Sequence, residues 1–215
     1  MTDSSKHLSN IELQFTKHGV AYQQLDYVKN QAGLHKIVAL ADARSAHTVL
    51  DIACGPGYLS FAFAETCASV VGIDITDAFL EHAREHARAN GIENVEFSKG
   101  DVESLTFDDN FFDIAICRAA FHHFLNPLAV LGEMKRATKP GGKILVLDMV
   151  SSEDEEKAAL QNKMEILCDP THVHALSESE FNTLFDSLDL QVVSTKKSQT
   201  KYSLTQWINH GGPSP

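Results

Sequence analysis

Lysine and arginine are scarce in this chain, which carries 18 of them against 29 aspartates and glutamates in 215 residues. The formal net charge of −11 argues against a broad nucleic-acid surface, because such a surface needs clustered basic side chains. Apolar runs of membrane-spanning length are missing, and residues 1–10 are too polar for a secretion signal. We therefore expect no nucleic-acid partner and no membrane insertion.

Cysteine is scarce as well, and its positions show no paired spacing of the kind that binds zinc: Cys54, Cys67, Cys117 and Cys168. Without a disulfide framework or a secretion signal, we expect free thiols and a cytoplasmic location. Repeats and low-complexity linkers are missing too. A chain of 215 residues suffices for one α/β domain with a large core.

Apolar strand patterns alternate with helical patterns through the middle of the chain. The predicted strands are 47–52, 69–74, 93–98, 111–117 and 143–149. Helices are predicted between them, at 57–66, at 76–90 and from Asn126-Pro127 onward. Strands this apolar need cover on both faces, so we expect a Rossmann-like doubly wound sheet, mostly parallel, with helices on both sides.

The flanking segments carry further helical patterns. Residues 9–47 are predicted to be helical, and a capping box at Ser177 opens a predicted helix over 177–187. Another helix is predicted at 153–168, with three residues facing inward: Leu160, Met164 and Leu167. Elsewhere, a tight turn is predicted at Lys139-Pro-Gly-Gly142 and a sixth strand at 190–195.

The segment Asp51-Ile-Ala-Cys-Gly-Pro-Gly57 is the most specific pattern in the chain. A glycine turn between a strand and a helix lets a small molecule lie against the backbone, because Gly55 and Gly57 have no Cβ. Asp74, at the end of the next strand, is suited to hold a ribose diol. Together these features indicate a cofactor that contains a nucleoside.

Two features of this turn disfavour a dinucleotide. Ser60 stands at the third glycine position of the G-x-G-x-x-G pattern, and Asp51 would repel a pyrophosphate. A phosphate-free cofactor with a positively charged sulfur tolerates both residues. The sequence therefore favours a sulfonium cofactor, with a nicotinamide oxidoreductase as the weaker alternative.

Several further motifs follow residues 51–57 in a fixed order: Gly72-Ile-Asp74, Gly100-Asp-Val102, Phe112-Asp-Ile-Ala-Ile-Cys117, His122-His-Phe124, Leu131-Gly-Glu-Met-Lys-Arg136 and Lys139-Pro-Gly-Gly142. With them, the chain resembles the class I S-adenosylmethionine-dependent methyltransferases over about residues 14–150. Ala53, in place of the first glycine, is similar to the ubiquinone/menaquinone-biosynthesis C-methyltransferase-like group. Asp169-Pro-Thr-His-Val-His174 also resembles a loop of small-molecule members.

The resemblance implies roles in binding S-adenosylmethionine, with S-adenosylhomocysteine as the product. Asp51, Ala53 and the backbone from Gly55 to Gly57 would face the methionine and ribose, and Asp74 would hold both ribose hydroxyls. The other implied contacts are Ile75 on the adenine, Asp101 on its amino group, Val102 through its amide on a ring nitrogen, Arg118 near the methionine end, and the lid residues Phe15 and Tyr22.

The resemblance also implies an organisation for the single domain. We expect a helical lid at 1–46, a cofactor-binding core at 47–150, and a substrate cover with the final strand at 151–215. Members of the family normally end with a sixth and an antiparallel seventh strand, but Ser198 to Ser203 is too polar for a convincing seventh strand. An open sheet edge promotes association, so we expect a homodimer or a partner subunit.

Two pairs of histidines stand where an acceptor is expected. His122 and His123 follow the fourth predicted strand, where one imidazole suits a general base and the other a hydrogen bond that fixes the loop. His172 and His174 indicate contact with the substrate. No carboxylate or cysteine partner has ligand spacing, so we expect no metal.

The expected reaction is methyl transfer to a small organic acceptor, on carbon or oxygen in preference to nitrogen. Two alternatives stay open at this point. The same fold could bind S-adenosylmethionine, S-adenosylhomocysteine or a partner without catalysis. It could also use the cofactor to assist a reaction other than methylation, such as a cyclisation.

Overall fold

The computed structural model describes residues 3–23 and 26–199 together with Thr205, except for the side chains of residues 20–27. The helices are α1 Asp3–Gln23, α2 Asp26–Lys29, α3 Gln31–Leu40, α4 Tyr58–Ala64, α5 Asp77–Asn90, α6 Pro127–Ala137, α7 Glu155–Cys168 and α8 Glu178–Ser187. The strands are β1 Thr48–Ile52, β2 Ser69–Asp74, β3 Val95–Lys99, β4 Phe112–Arg118 and β5 Thr138–Leu147. A single turn of 3-10 helix covers Phe121–His123.

The five strands form one parallel sheet in the order β3-β2-β1-β4-β5. Buried side chains of α3, α4 and α5 form a hydrophobic core on one face, and those of α6 with half-buried residues of α8 form a second core on the other. The chain moves outward from β1 to β3 and then crosses to the other side of β1. The expected doubly wound architecture is confirmed, with β1 and β4 side by side at its centre.

The end of the sheet differs from the prediction. Residues 190–199 contain no strand, so the predicted sixth strand at 190–195 is wrong, and Ser198 and Gln199 are not strand residues either. Residues 200–203 lie outside the described residues. In the part of the chain that the structure describes, β5 therefore has no strand on its outer side, and association through this edge stays a prediction.

The predicted tight turn at Lys139-Pro-Gly-Gly142 lies inside β5. Phe112 pairs with Thr138, but Ile114 pairs with Lys143, so the turn residues bulge out of the register between them. Gly141 has a positive φ of 79°, which allows the backbone to loop out and then rejoin the sheet. These residues do form a turn, but the turn is a bulge within β5 and not the connection that precedes a strand.

The predicted inward face of α7 is also wrong. Leu160, Met164 and Leu167 are 59%, 44% and 64% exposed. The polar residues on the other side of this helix face the protein instead, since Asn162 bonds to a neighbouring loop and Gln161 lines the cleft described below. Within the described ranges, no helix combines the length and apolarity that a membrane crossing requires.

Candidate functional site

A large cleft opens at the carboxyl ends of β1 and β4, where the chain reverses its direction of winding across the sheet. Doubly wound folds bind ligands at this switch point. The first residues past the two strands, Ala53 and Ala119, both have left-handed backbones with φ of 51° and 54°. Strained backbone of this kind concentrates at functional sites, and here the chain turns at both positions, directly after β1 and directly after β4. The cleft volume of about 2340 Å³ exceeds that of a typical small-ligand pocket.

The glycine turn forms one wall of the cleft. Gly55 and Gly57 have positive φ of 53° and 80°, and Gly57 is the N-cap residue of α4. Cys54 donates its amide to the Ile73 carbonyl at 3.0 Å, which ties the turn to the end of β2. Gly55 and Pro56 line the cleft, whereas Gly57 does not: a Cβ at Gly57 would meet Phe97 and Ala83 in the core. The predicted cofactor contact of the Gly55 backbone stays a prediction.

Asp74 lies beneath this turn, buried at the end of β2. One carboxylate oxygen accepts the Gly55 amide at 2.7 Å and the other accepts the Thr76 amide at 2.8 Å. Burial raises the pKa of Asp74, although these hydrogen bonds oppose the rise. Each oxygen keeps a lone pair that a hydroxyl could use, so the carboxylate suits a diol.

Asp51 is the second buried carboxylate, at the end of β1. It accepts the Ser60 hydroxyl at 2.5 Å, because the first turn of α4 returns that side chain to the strand. Burial raises the pKa of Asp51 to about 7, against the effects of Ser60 and of the nearby Arg118 guanidinium. A cationic ligand beside Asp51 would favour the charged form of this carboxyl group.

The remaining predicted cofactor residues border the same cleft, except for Tyr22, whose side chain lies outside the described residues. Ile75, Asp101, Val102 and Arg118 all line it, and Arg118 also donates to the Val28 carbonyl at 3.3 Å. Asp101 accepts the Glu103 amide at 2.9 Å, which holds the turn after β3. The Tyr22 side chain lies outside the described residues, so its predicted contact stays a prediction.

Helix α1 closes one side of the cleft. Phe15 packs edge-on against the His123 ring at 5.4 Å and against Phe79 at 5.8 Å. His7 donates from Nε2 to the His123 carbonyl at 2.8 Å, while Lys99 bridges Glu12 and Asp77 at 2.5 and 2.8 Å. The Phe15 and His7 contacts hold α1 across the carboxyl edge of the sheet, and the exposed Lys99 bridge adds little to them.

The two adjacent histidines have different surroundings. His123 is buried and donates from Nδ1 to the Thr171 carbonyl at 3.0 Å. Burial lowers the pKa of His123 to about 4, and the neighbouring His122 adds to this effect. His123 is therefore the imidazole that fixes a loop, which leaves His122 as the candidate base.

His122 contacts a carboxylate that the sequence reasoning missed. Its Nδ1 lies 2.6 Å from Oδ1 of Asp148, the first residue after β5. Burial by itself lowers the pKa of His122, but the Asp148 charge outweighs burial and the pKa lies above the usual value. Both residues line the cleft, so this imidazole borders the same space as Gly55 of the glycine turn.

The second histidine pair is split by the structure. His172 stacks on His122, with ring centroids 5.4 Å apart, and lines the cleft. His174 does not line the cleft, since its Nε2 bonds to Glu180 at 3.0 Å and its side chain is 43% exposed. Among the residues that the structure describes, no three His, Cys, Asp or Glu side chains are arranged to hold a metal ion. All four cysteines are free thiols.

Four residues of the site were missed by sequence reasoning: His7, Ser60, Asp148 and Asn162. Asp148 had a signal, because it is a carboxylate at the end of an apolar strand, as Asp51 and Asp74 are. Ser60 had a weaker signal in its spacing from the glycine turn. The other two lie on helices, and their roles depend on tertiary contacts.

The strand order, the glycine turn and the buried carboxylates at the carboxyl edge define a class I S-adenosylmethionine-dependent methyltransferase. Comparison with known proteins supports this class: the chain belongs to the family described as "Methyltransferase domain", which it matches over residues 43–209. The expected fold class, family and enzyme class are thereby confirmed.

Individual relatives agree. The chain is 33% identical to the uncharacterized methyltransferase YcgJ of Bacillus subtilis, over 94% of its own length and 79% of the relative's. The crystal structure of YcgJ matches with a TM-score of 0.81 and 34% identity, covering 84% of this chain and 77% of that one. A ubiquinone/menaquinone biosynthesis C-methyltransferase, UbiE of Bdellovibrio bacteriovorus, is 32% identical over 67% of this chain and 65% of its own.

Proposed function

We propose that this protein methylates a small organic acceptor on carbon or oxygen, with His122 as the base. One observation carries the proposal: two buried carboxylates, a bare glycine turn and a carboxylate-paired imidazole border a single cleft. A protein that only binds the cofactor has no need of a base in that cleft. The acceptor-side residues therefore favour catalysis over binding alone.

The residues present fit S-adenosylmethionine. Asp74 suits the ribose hydroxyls, Asp51 suits the positively charged methionine end, and a Cβ at Gly55 would stand in the space beside the Phe79 ring. When bound, the cofactor supplies a methyl group on a positively charged sulfur. The chain's own task is to align the acceptor and exclude water, and alignment can contribute about 7–11 kcal/mol to lowering a barrier.

Each part of the protein has a role in this proposal. Asp101, Val102 and Ile75 hold the adenine, and Arg118 with Ala53 borders the methionine end. Helix α1 acts as a lid through Phe15. Residues after β5 form the acceptor's cover, since His172 and Gln161 line the cleft from that side.

The acceptor is proposed to be quinone-like or another aromatic or enolic molecule. Two relatives, 32% and 34% identical to this chain, are named ubiquinone/menaquinone biosynthesis C-methyltransferase UbiE. A histidine base suits a hydroxyl or an activated C–H bond, both of which must lose a proton. On these two arguments we propose carbon or oxygen as the methylated atom in preference to nitrogen.

Calorimetry with three ligands tests the cofactor. We expect S-adenosylmethionine and S-adenosylhomocysteine to bind and NADH not to bind, because Asp51 would face the NADH pyrophosphate. Transfer of a radiolabelled methyl group to an organic-extractable product would then establish turnover. Binding of NADH in preference to the sulfonium cofactor would overturn the proposal.

The affinity for S-adenosylmethionine should depend on pH through Asp51. Its pKa of about 7 means that the ligand-free protein is largely protonated there below pH 7, whereas a cationic ligand favours the carboxylate. Binding therefore releases a proton below pH 7. We expect the affinity to rise with pH, by up to about tenfold per pH unit, and to level off above about pH 7.

Ser60→Ala provides the variant for this measurement. Its hydroxyl lowers the pKa of Asp51, so its removal should move the rise in affinity to higher pH. Thr66→Ala, at an exposed position just past the end of α4, is the matched control and should leave the profile unchanged. Calorimetry between pH 5.5 and 8.5 reads both, and a flat wild-type profile would contradict the role given to Asp51.

A further inference from the structure

Asp148 has a buried side chain, which two backbone hydrogen bonds hold in place. Its side chain is 2% exposed, and its two carboxylate oxygens accept the Phe121 and Met149 amides, both at 2.6 Å. Burial raises the pKa of Asp148, but the charge and hydrogen bond of His122, together with the Met149 amide, outweigh burial and keep the pKa below its usual value. The carboxylate is therefore charged and fixed in direction before any ligand arrives.

This fixed charge sets the proton positions on His122. An ionised carboxylate only accepts hydrogen bonds, so Nδ1 of His122 must carry the proton in their 2.6 Å contact. In the neutral ring, Nε2 then holds the free lone pair. The same logic operates wherever a carboxylate orients a histidine base.

His172 covers the other side of His122 as a neutral ring. Asn162 Oδ1 accepts the Ala175 amide at 2.6 Å, which fixes the amide oxygen at that position. The same oxygen lies 2.7 Å from His172 Nε2, so this nitrogen donates. Burial lowers the pKa of His172 to about 4, and His122 adds to the effect. Asn162 thus keeps an uncharged imidazole stacked on the base.

Five titratable groups face His122 from the elements packed around it: Asp148 after β5, His123 on the same turn, Glu165 on α7, and Asp169 and His172 on the following loop. Three of these groups are carboxylates. They favour a positive charge on His122 and repel a negatively charged acceptor.

We propose that Asp148 is a positioning residue that presents Nε2 of His122 to the acceptor, and that the acceptor is an uncharged phenol, enol or carbon acid. The inference rests on the proposed function and narrows its substrate class. A base is useful only when the acceptor still carries its proton, and an acceptor bearing a carboxylate would meet three like charges.

The proposed step balances in atoms and charge. The acceptor's O–H or C–H bond breaks, its proton goes to Nε2 of His122, and its electron pair forms the bond to the methyl carbon. The carbon–sulfur bond breaks with its electrons remaining on sulfur. The positive charge thereby passes from sulfur to the imidazole, where Asp148 stabilises it.

Nuclear magnetic resonance of 15N-labelled histidines tests the positioning role. In the wild-type protein we expect the neutral His122 ring to carry its proton on Nδ1. Asp148→Asn should lower the pKa of His122 well below the wild-type value, whereas Glu165→Gln, which removes a more distant charge, should change it less. A neutral His122 protonated on Nε2 in the wild-type protein would overturn the proposal, whether or not the variant folds.

Turnover measurements test the proposed acceptor class and separate its failure from a failure of the proposed methyltransferase function. The probes are neutral 1,4-naphthalenediol, catechol and a 1,3-diketone, each paired with a carboxylated analogue, together with methyl-labelled S-adenosylmethionine. We expect labelling of neutral probes over their analogues, and a kcat about a hundredfold lower in Asp148→Asn at pH 7 with unchanged cofactor affinity. Preference for the carboxylated probes, or labelling of none, would overturn the acceptor class. Failure of S-adenosylmethionine to bind at all would instead overturn the proposed function.

Discussion

Asp74→Ala is expected to weaken the binding of S-adenosylmethionine by at least about a hundredfold. A hydrogen bond to a charged group contributes about 1.5–3 kcal/mol, and Asp74 would make two of them to the ribose. Their loss amounts to about 3 kcal/mol at the lower limit, which corresponds to roughly a hundredfold in affinity. The variant also frees the Gly55 amide, so the glycine turn loses one of its two hydrogen bonds to β2 and keeps the one from Cys54 to Ile73.

Asp77→Ala is the matched control for this experiment. Asp77 is three residues away at the start of α5, and its exposed carboxylate bridges Lys99 on the surface. Calorimetry should give it an affinity within about twofold of wild type, since exposed ion pairs contribute little. Circular dichroism checks that both variants are folded. An Asp74→Ala protein that binds S-adenosylmethionine within threefold of wild type would refute the role of this carboxylate.

The strands of the sheet could be predicted because each one is an apolar run that is visible in the sequence by itself. Four of the five strands fall within about two residues of the predicted bounds, since continuous apolar runs between turn residues indicate strands buried on both faces. The glycine turn and Asp74 could be placed for a related reason. Parallel strands bring their carboxyl ends to one edge, so two strand ends read from the sequence become neighbours in space.

The errors arise where local pattern and tertiary contact disagree. The apolar stripe of α7 has ideal helical spacing, yet Leu160 and Met164 are exposed because Asn162 on the opposite side binds the loop that carries His172. Periodicity reports amphipathicity, but it does not say which face meets the protein when the polar face has partners in the site. The prediction of a sixth strand at 190–195 was wrong for a related reason. A strand forms where a neighbouring strand pairs with it, and the sequence pattern does not show whether such a neighbour is present.

The choice between the two adjacent histidines also required the fold. His122 and His123 are adjacent in one apolar segment, so the sequence alone allowed either one to be the base. The structure separates them through residues far along the chain, since Asp148 bonds to one ring and the Thr171 carbonyl to the other. Their pKa values are thereby pushed in opposite directions, as the proposed division into a base and a structural imidazole requires.

Gly57→Ala is expected to lower the free energy of unfolding by about 2–5 kcal/mol. Its φ of 80° disfavours any side chain by about 1–2 kcal/mol. A Cβ at Gly57 would also lie 2.7 Å from the Phe97 ring and 3.2 Å from Ala83, which adds about 1–3 kcal/mol of overpacking. The turn that borders the cleft thus also packs closely against Phe97 of β3 and Ala83 of α5. Urea-induced unfolding measures the change.

Gly91→Ala separates the two causes. Gly91 ends α5 with a similar φ of 63°, but a Cβ there meets nothing within 4 Å. It should therefore lose only the backbone share, about 1–2 kcal/mol. Phe97→Leu added to Gly57→Ala should recover part of the loss, and a double-mutant cycle measures that coupling. Equal losses at both glycines, with no coupling to Phe97, would mean that backbone conformation alone requires glycine at this turn and that close packing against β3 does not.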